Sequence, residues 1–162
     1  MRSFFKKITD QLGEKIPLDT ERGYHVHFKG HDHLLTRPVI FLNRGFGITP
    51  MEQGLRVVGT VEFGGLDNPV SKKRILNLVN NAKYLFPELT ENHDEWLGFR
   101  PTLPDFLPVM GPSKNYKNLF YSFGHHHLGW TLGAISGKIV SGMIAGENTN
   151  LDLSAYNSTR FS

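Results

Sequence analysis

Residues 119–146 read LFYSFGHHHLGWTLGAISGKIVSGMIAG. With Asn118 the stretch opens as a strand over NLFYSF (118–123), turns at Gly124 and passes three consecutive histidines, His125, His126 and His127. It then becomes a helix whose apolar face carries Leu132, Ile135, Ile139 and Met143 at helical spacing. Adjacent side chains alternate faces on a strand and fan out by about 100° on a helix, so three neighbouring histidines do not readily converge on one ion. His126 and His127 are therefore expected to be loop residues, and no metal site is assigned.

Gly129, Gly133, Gly137 and Ser141 repeat every four residues and fall along one side of that helix. Each glycine costs a helix roughly 0.8–1 kcal/mol relative to alanine, so the stripe asks for a reason. Spacing alone leaves two open: close packing of the helix against a sheet, or a ligand approached by backbone between Gly124 and Gly133. Helix N-termini carry free N–H groups and partial positive charge, which favour an anion such as a phosphate or the edge of a reduced flavin.

Upstream, the pattern is first helical, then sheet-like. Phe4, Phe5, Ile8 and Leu12 recur at helical spacing and Gly13 can end that helix. GYHVHFK (23–29) alternates Tyr24, Val26 and Phe28 with His25, His27 and Lys29, a strand whose histidines lie on the polar face. PVIFLN and FGIT read as two short strands joined at Asn43–Arg44–Gly45, and GLRVVGTVEFGG (54–65) as a third. Short connections between these strands predict an antiparallel sheet. Residues 71–89 place Ile75, Leu78, Val79, Ala82, Leu85 and Phe86 on one helical face, with Ser71 as cap and Pro87 as stop. Residues 94–111 begin as a strand and continue as a proline-punctuated loop.

Composition narrows the classes. The 162 residues carry a net charge of +3 and 39% apolar residues, ordinary for a globular chain. The densest basic run, SKKR (71–74), reads as a solvated surface rather than a nucleic-acid patch. There is no cysteine, which removes disulfides, thiolate metal sites and a cysteine nucleophile. Leu128–Ala145 falls short of the roughly 20 apolar residues of a membrane crossing and contains Lys138, so no transmembrane segment is expected.

Together these segments resemble the C-terminal region of FAD-dependent D-amino acid dehydrogenases, within the superfamily of D-amino acid oxidase, glycine oxidase and sarcosine oxidase. Trp96, Gly98, Arg100 and Pro101 match that family's W-x-G-x-R-P, and Pro104 and Asp105 its proline–aspartate segment. Gly124, His125, Leu128, Gly129, Trp130 and Thr131 match its G-H-x-x-L-G-W-T. LDTERGYHV (18–26) is similar to the strand that re-enters the substrate domain from the flavin domain. Phe106 departs from the pattern, standing where the dehydrogenases usually have glycine, and His126 and His127 replace small or polar residues. No G-x-G-x-x-G, the loop that holds the FAD pyrophosphate, occurs in the chain.

The resemblance implies an α+β fold: a mostly antiparallel substrate-domain sheet flanked by helices, plus the C-terminal strand–loop–helix of an FAD-binding domain. Residues 18–111 are then substrate-domain-like and 112–162 the flavin-contacting segment, in a single compact unit that forms the C-terminal part of a larger flavoenzyme. The implied reaction passes the α-hydrogen of a D-type amino acid to FAD as hydride, giving an imino acid and then a keto acid. Arg100 matches the residue that binds the substrate carboxylate. Gly124, His125, Gly129, Trp130, Thr131 and Leu132 match the flavin-contacting positions, and no catalytic side chain is assigned. Alone, the chain is expected to be inactive and to hold FAD weakly. The implied partners are the amino-acid substrate and an N-terminal FAD-binding portion, with a homo-oligomer left open. The implied setting is cytoplasmic, with a parent enzyme peripheral to the inner membrane as an option. Two other classes stay in view: a non-catalytic binding module, and a metal-binding protein using His25, His27, His31, His33 and His125–His127.

Overall fold

The alternation of Tyr24, Val26 and Phe28 with His25, His27 and Lys29 decides which face of the first strand is buried. In the computed structural model, which describes residues 4–89 and 92–161, that strand is β1 (Asp19–Lys29). Tyr24, Val26 and Phe28 are fully buried, the two histidines half-buried and Lys29 exposed. Next come β2 (Val39–Phe41), β3 (Phe46–Met51) and β4 (Gly54–Glu62). With β5 (His93–Thr102) they form a five-stranded sheet in the order β2-β3-β4-β1-β5. The β2/β3, β3/β4 and β1/β4 pairs are antiparallel. A 3-10 turn over Leu42–Arg44, closed by Gly45 at φ 66°, joins the two short strands where the sequence placed their junction.

Helix α2 (Lys72–Leu85) lays Ile75, Leu78, Val79 and Ala82 into a core with Tyr24, Val26, Phe28, Phe46, Ile48, Leu55 and Val57. Ser71 holds the N-cap position without a side-chain capping bond, and its N–H instead donates to Tyr24 Oη at 3.3 Å. The helix stops before Pro87, whose ring disfavours helical backbone at Phe86. In the SKKR run, Lys72 pairs with Glu95 at 2.8 Å and Arg74 lies 3.7 Å from Glu62, so both charges have acidic neighbours.

Contacts divide the chain into two compact units, Arg22–Phe99 and Met1–Glu21 with Arg100–Ser162. The sequence, without a linker or shift in composition, reads as one. The divisions fall inside β1 and β5, and a boundary within a strand leaves no compositional mark.

The discontinuous unit contains α1 (Phe4–Gln11), β6 (Val109–Pro112), β7 (Phe120–Phe123) and α3 (Gly129–Ala145). Gly13, at φ 73°, follows α1 as expected. β6 pairs antiparallel with β7 although its sequence reads as loop, because Pro108 precedes the four-residue strand and Pro112 ends it. Ile16, Leu18, Leu103, Val109, Tyr121 and Phe123 make its core, and Phe5 stacks on Phe123 at 5.1 Å. Glu14 is buried beside it. Its carboxylate accepts from the Ser113 hydroxyl, from Ser158 Oγ at 3.2 Å and from Asn115 N–H at 3.3 Å.

Helix α3 corrects two expectations. Its buried residues are Ser136, Ile139 and Gly142, while Ile135 is 47% exposed, so the packed line is rotated from the one the spacing suggested. A Cβ built on Gly133 or Gly137 meets nothing within 4 Å, and one on Gly129 meets only His125 Cβ at 3.8 Å. Within the described residues the stripe does not serve close packing against a sheet. Together with the 3-10 turn before it, α3 makes a 20-residue helical stretch, His126–Ala145, that passes the length and composition test for a membrane crossing where the sequence count had stopped short.

Candidate functional site

β5 delivers Arg100 and Thr102 to one face of the strand, since side chains two residues apart point the same way. Arg100 is half-buried, and its Nη1 is buried without a hydrogen-bond partner. A guanidinium N–H removed from water and left unpaired is costly, so the atom fits an arginine whose acceptor is a ligand. The guanidinium fork suits a carboxylate.

The loop from β7 to α3 is built on tight backbone. Gly124 is buried at φ 82°, a conformation that favours glycine, and a Cβ there would sit 2.7 Å from Leu103 Cδ1 and push that buried side chain aside. His125 Nε2 lies 2.9 Å from Ser136 Oγ on the buried face of α3. Burial holds its imidazole below the usual histidine pKa.

His126 follows at φ 50°, a left-handed conformation uncommon for a side-chain-bearing residue. Its Nε2 accepts from Leu103 N–H at 3.3 Å, and its Nδ1 lies 3.0 Å from Thr102 Oγ1 and 3.6 Å from Glu21 Oε1. The Glu21 side chain is only 3% exposed, and its other oxygen lies 3.4 Å from Nε2 of the exposed His127. Burial lowers the His126 pKa and outweighs the opposing pull of Glu21. Phe106, itself at φ 58°, packs its ring 5.0 Å from that of His126. The loop carrying Phe106 is anchored by Asp105, which receives Arg160 Nε at 2.6 Å and Leu107 N–H at 3.1 Å. Burial opposes ionisation of Asp105, but these donors hold its pKa below the ordinary value.

Gly129, Trp130, Thr131 and Leu132 form the first turn of α3. No side chain caps this helix, which continues from the 3-10 turn His126–Leu128, and Trp130 is fully exposed, so the turn lies beside an open surface. The structure thus gathers Gly124, His125 and Gly129–Leu132 into one loop and helix start. Thr102, two residues from Arg100, touches that loop through His126.

Sequence reasoning missed Glu21, Thr102 and the part played by His126 and His127. The His126 side chain, 6% exposed, is a member of a polar network as well as a loop residue. The alternation rule hid Glu21, because Thr20, Glu21 and Arg22 are all buried and β1 is covered on both faces there. Trp96 and Gly98 of the W-x-G-x-R-P motif have a local explanation. The Trp96 ring stacks on His25 at 4.7 Å and folds over Gly98. Among the described residues no group of His, Asp and Glu side chains is arranged to hold a metal ion, so the metal-binding alternative has no donor set there.

Residues 4–143 match the profile of a family described as FAD dependent oxidoreductase, DAO. The chain is 31% identical over 161 residues to a D-amino-acid oxidase of Bradyrhizobium diazoefficiens, covering 96% of this chain and 38% of that protein. It is 32% identical over 154 residues to a D-amino acid dehydrogenase of Granulibacter bethesdensis, covering 93% and 37%. Among solved structures, glycine oxidase from Geobacillus kaustophilus superposes with a TM-score of 0.80 at 25% identity, covering 96% of this chain and 42% of that one. L-proline dehydrogenase from P. horikoshii gives 0.81 at 18% identity, covering 99% and 45%, a likeness of fold. The chain spans about two fifths of the length of these curated relatives.

Proposed function

The chain belongs to the FAD dependent oxidoreductase family, and from that premise we propose that it supplies the substrate-carboxylate and flavin-edge parts of an enzyme that oxidises an amino acid of the D type. Bound FAD supplies the hydride acceptor, and the amino acid leaves as an imine that water converts to a keto acid. Arg100 holds the substrate carboxylate through its planar fork. The turn Gly124–Leu132 offers backbone N–H groups to the flavin edge that gains negative charge, and the bare side of α3 at Gly129 and Gly133 leaves room for that approach.

The residues present fit one end of the cofactor. The sequence has no G-x-G-x-x-G, so the pyrophosphate must be held by a partner portion, and these residues alone are inactive and bind FAD weakly in this proposal. A cytoplasmic setting belongs to the same reading.

The observation that carries it is the buried, unpartnered Nη1 of Arg100 within the family-matching segment. In flavin-loaded enzyme containing these residues, Arg100→Lys lowers kcat/KM for D-amino acids, mainly through KM, by about 2–4 kcal/mol of lost carboxylate binding. An unchanged kcat/KM across a panel of D-amino acids would make Arg100 structural.

A further inference from the structure

We propose that Arg56 and His27 form an anion site on the face of the five-stranded sheet turned away from α2, and that they take a carboxylate there. Both residues lie within the unit Arg22–Phe99, so the site stands without the flavin-edge reading above. Only the last test, on substrate kinetics, rests on that reading.

Strand register puts the two side chains together. Leu55 and Val57 point into the core beneath α2, so Arg56 between them points to the other face. On β1 the core takes Val26 and Phe28, and His27 between them shares the face of Arg56. Arg56 and His27 are directly paired across β4 and β1, and Thr49 of β3 is paired with Arg56 on its other side. Paired side chains on one face have Cβ atoms about 5 Å apart, so hydroxyl, guanidinium and imidazole form one row. His25 follows two residues along β1 on the same face, stacked on Trp96 at 4.7 Å. Burial first, and then the charges of Arg56 and His27, lower the pKa of His25 to about 4, which agrees with both groups lying close to it.

The row has donors and no carboxylate of its own. Arg56 Nε and His27 Nε2 are both buried and without a hydrogen-bond partner. The acids of β4 and β5 are engaged elsewhere: Glu62 with Arg22 at 3.1 Å, Asp94 with Lys29 at 3.0 Å and Glu95 with Lys72 at 2.8 Å. A guanidinium N–H can only donate, and leaving it unpaired out of water is costly. An imidazole can carry its proton on Nε2 and donate beside it. Two neighbouring donors, one of them permanently charged, match the two oxygens of a carboxylate. The same permanent charge disfavours a metal ion on the histidine.

Titration of the full 15N-labelled chain with sodium acetate at constant ionic strength tests the site, read at the Arg56 Nε–H and the His27 ring nitrogens. Both should move along one saturable curve, with exposed Arg37 as the unresponsive control. Arg56→Gln should weaken acetate binding about tenfold or more, and Arg56→Lys, which keeps the charge and loses the fork, by less. Shifts that grow linearly and match those of Arg37 mean an adventitious ion only and overturn the proposal. So does a saturable response that neither Arg56→Gln nor His27→Leu alters. Should a variant fail to fold, the wild-type curves decide: a shared site gives Arg56 and His27 the same dissociation constant, and two different constants overturn it. Kinetics of flavin-loaded enzyme then identify the source of the carboxylate. If it is the side chain of an acidic substrate, Arg56→Gln raises KM for D-aspartate and D-glutamate relative to D-alanine by about tenfold. If that ratio holds while acetate binding is lost, the site takes a free carboxylate and the proposal stands. Wild-type enzyme that turns over no D-amino acid would remove the D-amino-acid reading and leave the acetate result intact.

Discussion

The indole of Trp96 lies across Gly98, and a Cβ built on Gly98 would sit 1.9 Å from Trp96 Cη2. Two residues apart on β5, they share a face, and the indole also stacks on His25. Trp96 is half-exposed, so its ring can be pushed aside at modest cost. Gly98→Ala should destabilise the protein by about 1 kcal/mol and change the Trp96 fluorescence, measured by urea unfolding in a Trp130→Phe background. An unchanged emission spectrum would show that the ring does not depend on this glycine.

Two other glycines should respond in opposite directions. Gly54 has φ 135°, and its built Cβ lies 2.2 Å from the Phe28 carbonyl oxygen. Gly54→Ala should cost on the order of 3 kcal/mol. Gly133 sits mid-helix with open space around its built Cβ, so Gly133→Ala should stabilise this chain by about 0.8–1 kcal/mol. Denaturant midpoints of the two variants check both signs. In flavin-loaded enzyme Gly133→Ala should instead weaken flavin retention, if that side of α3 faces the ring.

His25 gives the stability a pH dependence. Burial, then the charges of Arg56 and His27, lowers its pKa from 6.5 to about 4. A base whose folded pKa is depressed takes up its proton more readily when unfolded. Its contribution is therefore fully present above pH 6.5 and is lost as pH falls from 6.5 towards 4. Unfolding free energy should rise with pH across that window, and His25→Gln should flatten the slope there.

Glu14 should behave as the anchor of the C-terminal 3-10 turn, Ser158–Phe161. Glu14→Ala leaves the buried Ser113 and Ser158 hydroxyls without their shared acceptor. The expected loss is about 2–4 kcal/mol, read by urea unfolding, with faster proteolysis near Ser158. Cleavage and stability equal to wild type would show that the tail is held by Phe161 and Arg160 instead.

Much of the fold was legible because side-chain period survives in any context. Tyr24, Val26 and Phe28 marked the buried face of β1, and Ile75, Leu78, Val79 and Ala82 that of α2, from spacing alone. β6 was not legible, since Pro108 and Pro112 suggest a loop and only pairing with β7 makes a strand. Nor was the buried face of α3. With apolar residues and glycines all around it, nothing in its sequence says which side meets Ser136 and Ile139's neighbours and which stays open.

For the candidate site, the sequence by itself determined the backbone parts and the cation: a glycine turn, a helix start and Arg100, each announced by residue type and motif order. Only the tertiary structure decided that Glu21 and Thr102 meet His126, and that Arg100 Nη1 is left without a partner. Local conformational preference is written in neighbouring residues. Whether a buried polar atom finds a partner depends on which distant strand passes within 3–4 Å of it, and no local pattern records that.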